Sequence, residues 1–285
     1  MEPVKEESYF TNSRGLGVFS RVWNPPDRAP SAYAVIAHGL GEHSLRYTEL
    51  ASFLCRRGFR VGCIDFYGFG NSEGRRGDVK NIDDYIEDMK TLEHRMNRGD
   101  APEDAYTMII GQSFGGLIAL ALLERYPRDY SHAVILSPAL DPGRNVPKTL
   151  LLLSRVFAVI CPGLPFNNRI SAEQISSDTE AQQTYREDPL VHSTITPRFF
   201  HQFLELSERV KRNGTSLHTL LHILFVHGSD DRVTSPEDTK AFYETLSSER
   251  KTFILMPNMR HDTLNESGKT DTYRRIDEWI SAHTA

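Results

Sequence analysis

Gly111-Gln112-Ser113-Phe114-Gly115 is the stretch on which the fold turns. Ahead of it, Ala105-Tyr106-Thr107-Met108-Ile109-Ile110 has the composition of a buried strand. Behind it, Gly116-Leu117-Ile118-Ala119-Leu120-Ala121-Leu122-Leu123 reads as a buried helix. A serine between glycines, on a turn from strand to helix, fits a nucleophile elbow. Such a turn is too tight for side chains at the flanking positions, which is why glycine stands there. The serine is forced into a strained backbone conformation with its hydroxyl pushed out over the sheet edge, and the Phe114 amide points at the same spot. The same spacing also fits a plain Gly/Ser loop. A serine nucleophile needs a base, an acid to orient it and donors for an oxyanion, so the rest of the chain decides.

Those parts follow in order. Leu221-His222-Ile223-Leu224-Phe225-Val226 reads as a strand and runs into His227-Gly228-Ser229-Asp230-Asp231-Arg232-Val233. Lys251-Thr252-Phe253-Ile254-Leu255-Met256 is the next strand and runs into Pro257-Asn258-Met259-Arg260-His261-Asp262. An acid and a histidine each lie just past the C-terminal end of a successive strand. Parallel strands put those ends on one edge of the sheet, where ligand sites of α/β proteins lie. Ser113, His261 and one of Asp230 or Asp231 can therefore meet. Earlier, Tyr33-Ala34-Val35-Ile36-Ala37 is an apolar strand ending in His38-Gly39-Leu40-Gly41-Glu42-His43. A His-Gly start at this place supplies the second oxyanion amide, so the backbone N–H groups of Leu40 and Phe114 are the expected pair. Gly39 and Gly41 permit close approach to a bound acyl carbon. His38 reads as a histidine that hydrogen-bonds the loop; His43 has that role or is exposed.

Elsewhere strands and helices alternate. Leu16–Trp23 alternates like an antiparallel strand near an edge. Arg46–Arg57 reads as a helix ended by Gly58, Phe59–Asp65 as a strand, and Ile82–Met96 as a helix with Ile82, Tyr85, Ile86, Met89 and Leu92 on one face. His132–Leu136 is a strand stopped by Ser137-Pro138, and Thr270–Ala282 an amphipathic helix. This rhythm predicts an α/β fold with a mostly parallel central sheet and helices on both faces. A charged fraction of 25% and a formal net charge of −5, without a basic stripe, exclude nucleic acid as a partner. Arg75-Arg76 reads as a solvated turn. Cys55, Cys63 and Cys161 are odd in number and lie in apolar contexts, which suggests buried thiols in a reducing compartment. No Cys-x-x-Cys or paired-histidine spacing points to a metal, and no cofactor is expected. The polar, acidic start Met1-Glu2-Pro3-Val4-Lys5-Glu6-Glu7 is unlike a signal peptide, so a cytoplasmic location is expected.

Several ordered blocks carry a resemblance. His38-Gly39-Leu40-Gly41-Glu42-His43-Ser44-Leu45-Arg46-Tyr47 resembles the opening signature of the monoacylglycerol lipase and lysophospholipase group of α/β-hydrolases. Asp65-Phe66-Tyr67-Gly68-Phe69-Gly70-Asn71-Ser72-Glu73-Gly74 resembles its second block, Gly111–Gly116 its elbow, and Asp188-Pro189-Leu190-Val191 a motif common in its middle. Gly228–Val233 and His261–Glu266 resemble its acid and histidine blocks, so the likeness runs from about Tyr9 to Trp279. Three positions depart from the group. Phe69 replaces a histidine beneath the oxyanion loop. Gln112 and Phe114 replace His and Met in the elbow, where the Phe114 ring is expected to narrow an acyl pocket. Asn258 replaces a glycine, and asparagine tolerates the left-handed backbone such a loop needs.

The resemblance implies an α/β-hydrolase fold with an inserted helical cap: residues 1–140 and 215–285 as the core and 141–214 as the cap. It selects Asp231 over Asp230 and implies the triad Ser113, Asp231 and His261. It implies hydrolysis of esters with one fatty acyl chain, monoacylglycerol first, with lysophospholipid or simple short- to medium-chain esters as rivals. An amidase using the same triad ranks below these. A non-catalytic hydrolase-fold receptor or scaffold is the reading of another class, disfavoured because all three triad residues are present. Glu42 and Arg46, just past the oxyanion loop, could meet a glycerol or phosphoglycerol head group or form a solvated ion pair. In the insertion, Thr149–Ile160 is the most apolar part, too short for the roughly 20 residues that cross a bilayer and interrupted by Arg155. It reads as a cap helix buried against the sheet, as a lid facing acyl chains and peripheral lipid, or as both on opposite faces. Phe166, Phe199, Phe200 and Phe203 read as cap core. No obligate protein partner is evident.

Overall fold

The computed structural model describes residues 2–26, 28–96, 105–144, 146–214, 217 and 220–283. Its strands are β1 (Val4–Thr11), β2 (Gly17–Asn24), β3 (Ala32–Ala37), β4 (Phe59–Ile64), β5 (Thr107–Gln112), β6 (His132–Leu136), β7 (Phe166–Asn167), β8 (Thr194–Ile195), β9 (His222–Gly228) and β10 (Lys251–Met256). Its helices are α1 (Thr48–Arg56), entered through a 3₁₀ turn at Ser44–Tyr47, α2 (Asp83–Met96), α3 (Phe114–Arg125), α4 (Lys148–Ile160), α5 (Ala172–Ile175), α6 (Thr179–Glu187), α7 (Pro197–Asn213), α8 (Pro236–Thr245) and α9 (Lys269–His283). Eight strands form one sheet in the order β1-β2-β4-β3-β5-β6-β9-β10. From β4 to β10 every neighbouring pair is parallel; β2 joins β4, and β1 joins β2, antiparallel.

Period-two alternation sends side chains to two separate cores. On β5, Ile109 enters one core and Met108 and Ile110 the other; β6 and β9 divide in the same way. The first core is covered by α2, α3 and α7, the second by α1 and α9. The chain moves from β3 outward to β4 and then crosses back to β5 on the other side of β3. The C-terminal ends of β3 and β5 therefore flank the point where strand order reverses, the usual place of a ligand crevice in such sheets.

Several features differ from the sequence expectation. The polar start is a strand: β1 pairs with β2 along its whole length while seven of its eight residues are exposed. A charged edge strand carries little apolar signal because only one side chain, Phe10, is buried. Between β6 and β9 the chain forms a two-stranded ladder of β7 and β8, too short to be seen as a pattern. Cys161 is exposed, whereas Cys55 and Cys63 are buried as expected. Finally, α7 belongs to the sheet layers: Phe199, Phe200, Phe203, Leu206 and Val210 enter the same core as α3. The parallel step from β6 to β9 needs a covering crossover helix, and α7 is that helix. Residues 215 and 216, at the expected end of the insertion, lie outside the described residues.

The helix α4 has no fully buried residue: Leu151 rests part-buried against the core that α7 enters, and the other large apolar residues of the helix face outward. Leu152, Val159 and Ile160 are 64, 81 and 70% exposed. Phe166 is exposed as well, so it is not core, in contrast to Phe199, Phe200 and Phe203. Among the described residues no helix is long and apolar enough to cross a membrane.

Candidate active site

Ser113 sits between β5 and α3 with φ 56° and ψ −116°, a backbone region that non-glycine residues avoid. The surrounding structure enforces it. The Ser113 N–H donates to the Leu136 carbonyl (2.9 Å), and the Ser113 carbonyl accepts from Ala139 N–H (3.1 Å) and Leu117 N–H (3.2 Å). A Cβ on Gly111 would run into the Gly115 carbonyl, and one on Gly115 into that of Ala37. The two glycines therefore let the helix press on β5 and β3 while the serine is turned outward. Phe114 opens α3, and the first N–H groups of a helix have no intrahelical acceptor.

Asp231 follows β9 and His261 follows β10, on the same sheet edge. His261 Nδ1 donates to Asp231 Oδ2 at 2.7 Å. The other carboxylate oxygen, Oδ1, accepts from the backbone N–H groups of Val233 (2.7 Å) and Thr234 (2.9 Å). Burial alone would raise the Asp231 carboxyl, but the His261 charge and the hydrogen bonds from His227 and His261 outweigh it and hold it well below the usual carboxylate range. Burial likewise pushes the His261 ring down, and the charge and hydrogen bond of Asp231, then Asp262 and Glu42, lift it above the ordinary histidine value. Asp230 is exposed and accepts from Ser229 Oγ (2.8 Å). Asn258 adopts φ 58°, as the loop before the histidine requires. Gln112 Nε2 donates to the His261 carbonyl (3.1 Å), so the glutamine that departs from the family elbow ties the serine turn to the histidine loop.

The loop after β3 is held from several directions. His38 Nδ1–H donates to the Gly39 carbonyl (2.8 Å), and its Nε2 accepts from Phe66 N–H (3.0 Å), so it is structural as expected. Gly41 has φ 78°, and a Cβ there would meet the His192 carbonyl. His192 N–H in turn donates to the Gly41 carbonyl (3.0 Å). His43 is wholly buried, with Nε2 2.8 Å from Asp188 Oδ2. The Asp188-Pro189-Leu190-Val191 block thus anchors the inserted segment to the loop that presents Leu40. Phe69 stacks on His192 (centroids 5.1 Å apart) and packs edge-on to His38, so its replacement of histidine changes packing.

Glu42 and Arg46 form an ion pair that is largely buried, not a solvated one. Glu42 Oε2 accepts from Gly39 N–H (3.2 Å) and Tyr47 O–H (2.9 Å). Arg46 Nε donates to Glu42 Oε1 (3.2 Å), and its Nη2 to Asp262 Oδ2 (3.3 Å), beneath a guanidinium–Tyr185 ring contact of 5.0 Å. One buried cation thereby serves two carboxyls, and these side chains brace the loop. Burial opposes ionisation of Glu42, but Arg46 and the Tyr47 hydroxyl hold it low; Asp262, raised by burial and by Glu42, stays above its ordinary range. The Phe114 ring is wholly buried among Phe66, Tyr85, Phe199 and Phe203, where it ties α3 to α7 instead of narrowing a pocket.

Two residues escaped the sequence reading. Thr234 Oγ1 donates to Asp231 Oδ2 (2.8 Å), and His227 Nε2 lies 2.9 Å from the same oxygen. The available signal was a histidine among apolar strand residues, one position before the glycine of the acid loop.

Residues 28–268 match the family described as serine aminopeptidase, S33. The monoacylglycerol lipase of Mycolicibacterium smegmatis is 29% identical over 98% of both chains. The monoglyceride lipase of Rattus norvegicus is 28% identical over 99% of this chain and 93% of that protein. The crystal structure of Paleococcus ferrophilus monoacylglycerol lipase superposes with a TM-score of 0.80 at 27% identity, covering 99% of this chain and all of the other.

Proposed function

The chain belongs to the serine aminopeptidase S33 family, in the monoacylglycerol lipase and lysophospholipase group of α/β-hydrolases, and from that premise we propose that it hydrolyses monoacylglycerol through an acyl-enzyme. His261 Nε2 takes the proton of the Ser113 hydroxyl as Oγ attacks the ester carbonyl. Asp231 fixes the tautomer of His261 and stabilises the imidazolium. The Leu40 and Phe114 N–H groups receive the oxyanion, where losing one donor typically costs about 10²–10³ in rate. The tetrahedral intermediate collapses, glycerol leaves with the proton from His261, and the acyl chain stays on Ser113. Water, deprotonated by the same ring, then releases the fatty acid.

What carries the reading is the strained Ser113 at the switch point together with His261 on Asp231, in a chain alike end to end to monoacylglycerol lipases. The exposed apolar residues of α4 are suited to meeting lipid as the substrate is drawn from it. The segment from about residue 141 to Thr196 is the cap in this proposal.

Graded p-nitrophenyl esters, monoacylglycerols, lysophosphatidylcholine and an aminoacyl p-nitroanilide, compared by kcat/KM, test it. Monoacylglycerol should be preferred, and a fluorophosphonate should label Ser113 in the wild type and nothing in Ser113→Ala. Turnover surviving in folded Ser113→Ala, or preference for the anilide, would sink the assignment.

A further inference from the structure

Asp231 Oδ2 is shared. It receives His261 Nδ1 at 2.7 Å, Thr234 Oγ1 at 2.8 Å and His227 Nε2 at 2.9 Å. A carboxylate brings no hydrogen, so each ring supplies its own. In neutral His227 the remaining nitrogen, Nδ1, takes the hydroxyl hydrogen of Thr239, 3.0 Å away on α8. Both His227 and Thr239 are wholly buried. His227 therefore reaches neither solvent nor substrate, and its ring ends on Asp231 on one side and a threonine on the other. An apolar side chain would fill the same place among Phe225, Val226 and their neighbours without the cost of burying two ring nitrogens.

Resting on the assignment of Asp231 and His261 above, we propose that His227 is a positioning residue for the catalytic acid. It fixes the carboxylate through the oxygen that His261 uses and competes with His261 for its charge. Hydrogen bonds to a charged form favour that form and weaken its pull on any other donor. Without His227, Oδ2 acts more fully on His261 and the base holds its proton more tightly. The other ionised or ionisable groups facing His261 are Asp262 and Glu42, with Arg46 between them, and none of them touches His227.

The test compares His227→Leu, His227→Gln and Thr239→Val by the pH dependence of kcat/KM on a soluble short-chain ester. In His227→Leu the acid limb should move up by roughly half to one pH unit, with KM little changed. His227→Gln keeps an N–H that can reach Oδ2, so its limb should return toward the wild-type position. Thr239→Val frees the other tautomer and should shift the limb in the same direction by less. The downfield proton resonance of the His261–Asp231 bond should move further downfield in His227→Leu and recover in His227→Gln. If His227→Leu does not fold, Thr239→Val decides by the same limb and the same resonance. An acid limb and resonance unmoved in the folded variants, or a glutamine variant displaced as far as the leucine variant, would overturn the role of His227. That result is distinct from failure of the triad itself, which would show as turnover in Ser113→Ala or an unimpaired Asp231→Asn.

Discussion

Asp230 and Asp231 are neighbours in the chain with different fates. One turns to solvent; the other loses all side-chain exposure and accepts five hydrogen bonds. Asp231→Asn places an amide against His261 and favours the wrong tautomer, so kcat should drop by about 10³–10⁴-fold. Asp230→Asn, an exposed change away from any buried network, should stay within roughly twofold. Steady-state kinetics on the two purified variants check this, and equal losses would mean that the acid has been misassigned. That Ser113, Asp231 and His261 share one edge of the sheet was legible in the sequence because each follows a strand, and parallel strands deliver such residues to one edge. Glu42 and Arg46 were not. Whether an adjacent acid and base are solvated or buried depends on what lies over them, here Tyr47, Asp262 and Tyr185, which come from distant parts of the chain.

Among elements, α4 and α7 show how apolar pattern and burial separate. Both lie between β6 and β9, yet α7 closes the core, whereas α4 rests only the part-buried Leu151 on it and leaves its other large apolar residues exposed. Period alone marks an apolar face but does not say whether protein or lipid covers it, and this is why the sequence left α4 with two readings. Replacing Leu152, Val159 and Ile160 by serine should leave Tm almost unchanged, since exposed substitutions rarely exceed about 0.5 kcal/mol. Each methylene of a long acyl chain contributes roughly 0.8 kcal/mol when buried, and acetate has almost none to lose. Hydrolysis of long-chain monoacylglycerol in micelles should therefore fall by more than hydrolysis of soluble p-nitrophenyl acetate. A large fall in Tm with equal loss on both substrates would refute the outward-facing role. The strand β1 was illegible for the opposite reason: backbone pairing with β2 holds it, and only Phe10 is buried.

For the molecule as a whole, stability carries a pH signature remote from the site. Burial, then the nearby charges of Asp84 and Glu87, raise Asp88 on α2 to about 7 from an ordinary 3.8, against the hydrogen bond from Asn12. Between those two values the folded chain keeps a proton that the unfolded chain has released, so this group removes stability as pH rises from 3.8 to about 7. Asp88→Asn keeps the neutral shape and should raise Tm by a few degrees at pH 8 and by much less at pH 4. Thermal melts at the two pH values measure it, and an equal change at both would contradict the origin given. Ser113 bears on the same margin from another side. Its backbone angles cost on the order of 1–3 kcal/mol for any residue with a Cβ, while glycine adopts them freely. Ser113→Gly should therefore melt above Ser113→Ala, although glycine is ordinarily the less stabilising of the two, and a lower melting point would show that the turn is unstrained. The consequence reaches past the bench. A protein of this kind sits only about 5–15 kcal/mol above unfolding. A lineage released from the need for hydrolysis could accept glycine at position 113 with no loss of stability, because selection removes only changes that fall below the threshold for folding. On the mechanism proposed above, the fold itself gives no reason to keep a serine there.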